Sequence, residues 1–285
     1  FNLPDPVVKA LTSYDKGDGP VEGLRVTTLI DSPQISLLKQ EHSHKLTEDV
    51  SGRMWLVLGT AIHEIFERAA SNAYVAEERL SHTVGDTLIS GAIDYQFETD
   101  NEVDLKDYKS TSVYAVREPK KEWERQLNIY AYLVRHVKRL NVKSASVIAV
   151  LRDWKQGDAD RRSEYPPAPI IEIPVKLWTD EEQDAYVEGR VRLHNHAQMS
   201  AEFEEMPPCT DEERWMKPAV FAVHKGQNKR ALKLFADKAE AQIFAGESED
   251  RVLIERPKTY TRCENNYCRV ADFCSQYNKE VENDS

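Results

Sequence analysis

Residues 91–110, GAIDYQFETDNEVDLKDYKS, decide how the chain is read. Two runs of strand character flank the polar connection Thr99-Asp100-Asn101, the pattern of two strands joined by a turn. The first run holds Asp94 and the second holds Asp107-Tyr108-Lys109. Residues two apart in a strand share a face, so Asp107 and Lys109 point the same way. Two carboxylates and an ammonium then converge on one edge of a sheet. Such a set suits phosphodiester hydrolysis: oxygens hold a hard divalent cation that activates water and polarises the phosphate, and the lysine stabilises developing charge. Taken alone, an Asp-x-Lys pair also fits a solvated strand face, so the surroundings must decide.

Upstream, residues 54–76 repeat apolar residues at helical spacing, with Gly59, His63 and Glu67 on one face. The glycine allows close backbone approach. The histidine either faces a neighbouring site or is a hydrogen-bonded core residue. Residues 77–84, 86–98 and 103–112 read as three strands. Before them, Asp31 or Ser32 can cap a helix that has Pro33 at its first position. Downstream, 119–140 reads as a long helix with Pro119 in its first turn and Trp123, Leu127, Tyr130 or Ala131, and Val134 as a buried stripe. Gln126 and Tyr130 share a face; they either flank that stripe or line the site and touch DNA. Strands over 144–154 and 169–178 follow, then a helix over 179–203 that opens with the Thr179–Glu182 capping box. Helix, three strands, helix, two strands and helix make a mixed α/β sandwich. No glycine-rich nucleotide signature interrupts it.

At 285 residues and 40% apolar, the chain can form one large domain or two ordinary ones. Residues 1–24 read as an N-terminal arm, 25–206 as the core and 207–285 as a C-terminal segment. No apolar run is long enough to span a membrane. The first residues lack a methionine and a signal-peptide pattern, so the natural chain is expected to begin earlier and to be cytoplasmic. The net charge of −11 weighs against broad coating of nucleic acid but leaves room for a local basic groove. Candidate phosphate contacts are Arg117, Lys120, Lys121 and Arg125; Arg152, Lys155, Arg161 and Arg162, with Trp154 placed to stack on a base; and Lys225 to Lys233. Of the four cysteines, Cys263, Cys268 and Cys274 crowd together and Cys209 stands apart. Without a secretion signal they point to a metal or cluster site and not to disulfides. Four thiolates suit a [4Fe–4S] cluster or tetrahedral zinc.

The ordered series Gly59-His63-Glu67, Gly91 and Asp94, Asp107 and Lys109, then Gln126 and Tyr130 resembles the PD-(D/E)XK nucleases of the RecB type. That group includes the nuclease domains of recombination helicase-nucleases, CRISPR adaptation nucleases and phage exonucleases. The resemblance covers roughly residues 25–150 and is closest to the stand-alone phage exonucleases. It implies a restriction-endonuclease-like mixed sheet flanked by helices. It further implies Mg²⁺ or Mn²⁺ held by Asp94, Asp107, His63 and the Tyr108 carbonyl; Lys109 as the catalytic lysine; and Gln126 and Tyr130 as strand-positioning residues. An imidazole ligand favours Mn²⁺. Many such proteins also carry a four-cysteine iron–sulfur cluster that staples the chain end, usually with one cysteine early in a Cys-Pro pair. Here Ser32-Pro33 stands at that place, which leaves Cys209 as fourth ligand. The activity implied is a metal-dependent DNA exonuclease in phage or bacterial recombination and end processing, working beside a single-strand annealing or other recombination protein. The alternatives are a non-cleaving DNA-binding module of the same fold, or an endonuclease or CRISPR-adaptation-type nuclease.

Overall fold

The apolar stripes assemble into a central mixed sheet flanked by helices. The computed structural model describes residues 3–13, 22–69, 71, 74–118, 120–200, 206–265 and 267–283. The helices are α1 (Asp5–Ser13), α2 (Val26–Ile30), α3 (Pro33–Glu41), α4 (Met54–Ala69), α5 (Val113–Arg117), α6 (Lys121–Leu133), α7 (Gln156–Ala159), α8 (Asp180–Met199), α9 (Lys238–Gly246), α10 (Thr261–Glu264) and α11 (Ser275–Asn283). The strands are β1 (Leu24–Arg25), β2 (Val75–Val84), β3 (Thr87–Glu98), β4 (Glu102–Thr111), β5 (Asn141–Leu151), β6 (Ile170–Val175), β7 (Met216–Lys217), β8 (Val220–Lys225), β9 (Ala231–Phe235), β10 (Arg251–Arg256) and β11 (Thr259–Tyr260). The chain divides into two units, Phe1–Ile30 with Thr47–His196, and Asp31–Leu46 with Ala197–Ser285.

In the first unit, β3 is paired along one edge with antiparallel β2. Its other edge is shared. Tyr95–Glu98 pair with β4, and Ile89 and Ser90 pair with the two residues of β1, in parallel. β4 runs parallel to β5, and β6 closes the sheet antiparallel to β5. A parallel pair needs a crossover connection, and α5 and α6 supply it. Most of α6 is buried: Trp123 and the unbroken run Gln126–Leu133. Its polar members are therefore bonded: Asn128 donates to the carbonyls of Glu124 and Lys176 and accepts from the Trp178 amide.

The order of core elements agrees with the sequence reading. The ends differ where tertiary pairing overrides local pattern. The helix expected over 54–76 stops at Ala69, and Val75 and Ala76 join β2. The expected arm contains α1. The later helix continues past Leu133 as a π turn, Val134–Lys138, and ends at left-handed Arg139 (φ 61°). Pro119 lies outside the described residues. The capping box forms as expected: the Thr179 amide donates to Glu182 Oε2 (2.8 Å) and the Glu182 amide to Thr179 Oγ1 (3.2 Å).

The second unit has smaller cores. Its three-stranded antiparallel sheet, β10-β8-β9, packs Val223 and Phe235 against Ala241 of α9. A separate cluster joins Ile35 and Leu38 of α3 to Val270, Ala271 and three of the cysteines.

Candidate active site

The site forms where β3 and β4 part. Their last backbone pair is Tyr95↔Lys106, so Asp94 and Asp107 stand opposite each other one step beyond it. Asp94 Oδ2 bridges the opening strands by accepting the Tyr108 amide (2.7 Å). Asp107 is 1% exposed, and its Oδ1 accepts from Gln126 Nε2 (3.0 Å). Gln126 Nε2 also donates to the Tyr130 hydroxyl (2.9 Å). Asp107 Oδ2 lies 2.6 Å from Lys109 Nζ but has no well-directed hydrogen-bond donor. Burial pushes the Asp107 carboxyl up to about 6 against the pull of the Lys109 charge, and the nearby Asp94 charge adds to the rise. Burial likewise keeps the Tyr130 phenol protonated.

Gln126 and Tyr130 are 8% and 4% exposed. Both side chains sit behind Asp107, where Gln126 joins its carboxylate to the Tyr130 hydroxyl. Gly91 has a matching reason. A Cβ there would come within 2.6 Å of Tyr130 Cε1 and 2.8 Å of Val26 Cγ2, so only glycine lets Tyr130 and α2 close on β3. At Gly59, by contrast, a Cβ would meet nothing within 4 Å, and Glu67 is exposed. Of the three residues on that helix face, only His63 reaches the site.

His63 bridges both strands. Its Nε2 is 3.2 Å from the Tyr108 carbonyl, and its Nδ1 is 3.4 Å from Asp94 Oδ1 and 3.4 Å from Glu77 Oε1. Burial opposes charge on the ring, but the Asp94 and Glu77 carboxylates outweigh it and push the imidazole up to about 10. The ring of Tyr108 packs against Phe66 (4.8 Å between centroids) and His63 (5.7 Å), tying α4 to β4.

Sequence reasoning misses Glu77. Its signal lies in the register: β2 pairs Ala76↔Tyr95 and Glu78↔Ile93, which puts Glu77 opposite Asp94. Its φ of 51° is left-handed, a conformation costing a non-glycine residue about 1 kcal/mol or more. A ligand atom from each of His63, Glu77 and Asp94 falls within 4.8 Å of the others.

The basic patches are partly committed within the unit. Arg161 and Arg162 face Asp158, and Arg117 faces Glu164 (3.8 Å). Trp154 is not a free stacking platform, because it packs on the core and its Nε1 donates to the Pro166 carbonyl (2.8 Å). One exposed ring nearby is Trp55, with the Arg152 guanidinium 4.3 Å from its centroid, and another is Tyr114.

A family model for the PD-(D/E)XK nuclease superfamily matches residues 33–275. The chain belongs to that superfamily. No curated protein sequence matches. Among chains of known structure, the crystal structure of SSO0001 is similar over 66% of this chain and 85% of that one, at 18% identity and a TM-score of 0.45. As a PD-(D/E)XK nuclease the protein is a metal-dependent enzyme with DNA as substrate. The residues present fit a hard divalent cation: opposed carboxylates, an imidazole nitrogen, a backbone carbonyl and the poorly bonded Asp107 Oδ2. Among the described residues, no helix is long and apolar enough to cross a membrane.

The nuclease's four cysteines are all buried free thiols that line one cavity of the second unit, together with Gln34, Arg214 and Arg262. Ser32 takes the N-cap position of α3 without capping it, and its Oγ lies 3.1 Å from Cys209 Sγ. Burial pushes the Cys209 thiol up to about 12.

Proposed function

We propose that this nuclease is a DNA exonuclease that processes DNA ends, with Asp94, Asp107, His63 and the Tyr108 carbonyl holding Mg²⁺ or Mn²⁺. The observation that carries the hydrolytic reading is the pair of carboxylates at the strand fork with Lys109 2.6 Å from Asp107. The bound cation supplies Lewis acidity toward the phosphate and an acidified water. Lys109 positions the attacking water and stabilises the charge that develops on the phosphate. Gln126 and Tyr130 hold the Asp107 carboxylate in one orientation, and Gly91 gives Tyr130 the room to do so. Preference for ends, and a role in phage or bacterial recombination beside an annealing protein, rest on the likeness of the motif series to stand-alone exonucleases.

The test is linear duplex labelled at either end beside a covalently closed circle, with Mn²⁺ and then Mg²⁺. Lys109-dependent loss of the linear DNA alone supports the exonuclease and gives its polarity. Cutting of the circle makes the protein an endonuclease.

The cavity lined by four buried cysteines supports a [4Fe–4S] cluster as a structural staple, with zinc the competing occupant. Ser32 beside Cys209 supports Cys209 as the ligand that replaces an early cysteine. A brown chromophore with acid-labile sulfide after anaerobic purification supports iron–sulfur; stoichiometric zinc without colour overturns it.

A further inference from the structure

We infer that Glu77 is an additional ligand of the divalent cation, held ready by its strained backbone; this rests on the metal-dependent reading of the site. Three carboxylates stand abreast across three strands. Glu77 of β2 is opposite Asp94 of β3, and Asp94 is opposite Asp107 of β4. Cross-strand neighbours repel when both are anionic; in the metal-free chain His63 and Lys109 offset that repulsion, and a bound divalent cation would take over the part of His63. Asp107 beside them is almost fully buried, with Gln126 on its Oδ1 and Lys109 Nζ 2.6 Å from its Oδ2.

Glu77 does not reach this row by ordinary strand geometry. Its φ of 51° turns the residue out of the extended form, and its Oε1 comes within 3.4 Å of His63 Nδ1. Non-glycine residues hold such a conformation only where the surroundings impose it. The result is a set of His63, Glu77 and Asp94 whose ligand atoms lie within 4.8 Å of one another. One nitrogen and several hard oxygens suit Mn²⁺ and Mg²⁺ over thiophilic ions. Glu77 would thus raise affinity and bias metal choice toward the hard ions.

The test measures Mn²⁺ binding directly, by the loss of the free-ion paramagnetic resonance signal on titration, in the unsubstituted protein, Glu77→Gln, Glu77→Asn and Asp94→Asn. Glu77→Gln keeps the size, and Glu77→Asn keeps a residue tolerant of positive φ. Both should weaken Mn²⁺ binding at least tenfold, and Asp94→Asn more. In EDTA, Glu77→Asn relieves the backbone strain but loses the ion pair with His63, so its melting temperature should stay close to that of the unsubstituted chain, and it should gain less from added Mn²⁺. Unchanged Mn²⁺ affinity in both Glu77 variants, with loss in Asp94→Asn, overturns the assignment of Glu77 and leaves the site standing. Absence of Mn²⁺ binding by the unsubstituted protein overturns the underlying reading as well.

Discussion

The two units hold themselves together by different means. The first buries a continuous core of large aliphatic and aromatic residues, among them Leu29, Ile89, Ile93, Leu105, Leu127 and Ile129. The cysteine-bearing cluster of the second has seven buried members, of which three are cysteines; the others are Ile35, Leu38, Val270 and Ala271, with Leu46, Phe273 and Tyr277 packed against them half-buried. Fully burying one aliphatic side chain contributes about 1.5–3 kcal/mol, so this small cluster has far less to set against the conformational entropy of ordering its segment than the first core has. A core of the first kind tolerates chemistry at its edge. A core of the second kind is the one to which a group bound by its cysteines would add most.

That contrast is tested most severely by Cys268→Ser. The substitution should strip any bound cluster and destabilise the second unit by several kcal/mol, while strand signals of the first unit persist; hydrogen exchange read unit by unit checks it. A fully stable Cys268→Ser protein breaks the comparison. Next in size is Lys109→Ala, which should lower the cleavage rate at least a thousandfold, about 4 kcal/mol in the barrier. Its melting temperature and Mn²⁺ affinity should stay close to the original. Gly91→Ala should cost about 1–3 kcal/mol by overpacking Tyr130 and Val26, read by urea denaturation.

Smaller effects come from titration. Asp107 has a carboxyl pushed up to about 6 in the folded chain, against about 3.9 when unfolded. A raised acid is a cost that appears as pH rises through that window. Asp107→Asn should therefore stabilise the metal-free protein at pH 7 by about 2 kcal/mol, a gain that fades toward pH 4, even as cutting is lost. His63 works in the opposite sense. With its imidazole pushed up to about 10, its ion pairs with Asp94 and Glu77 stabilise the metal-free fold fully below about pH 6.5 and are lost as pH rises toward 10. Denaturation midpoints in EDTA should fall across that range by about 1–2 kcal/mol after solvent screening, and His63→Gln should flatten the fall.

Much of the site is legible in the sequence because its chemistry is local. Asp107 and Lys109 share a face by strand period, and Gln126 and Tyr130 by helix period; no partner strand is needed to see either. Gly91 is visible as a motif letter, but its reason is not, because the atoms it makes room for lie on Tyr130 and on Val26, far along the chain. Glu77 is hidden for the same cause in stronger form. Its role depends on the β2–β3 register and on a backbone angle, and neither is written in its neighbours. α1 is masked because a proline- and glycine-rich lead-in outweighs nine residues of helical spacing.

The fork between β3 and β4 has a consequence for how the chain tolerates trimming. β4 leaves β3 after Tyr95, and the two residues Leu24 and Arg25 take its place beside Ile89 and Ser90. Gly23 is pressed against the Leu88 backbone at the same spot, at a φ of 85°. This short segment satisfies part of the strand edge that the departing β4 abandons, at Ile89 and Ser90. Shortening the chain past residue 25 would then remove none of the site's acids and still bare the backbone edge of β3 at Ile89 and Ser90, an opening for another strand to pair.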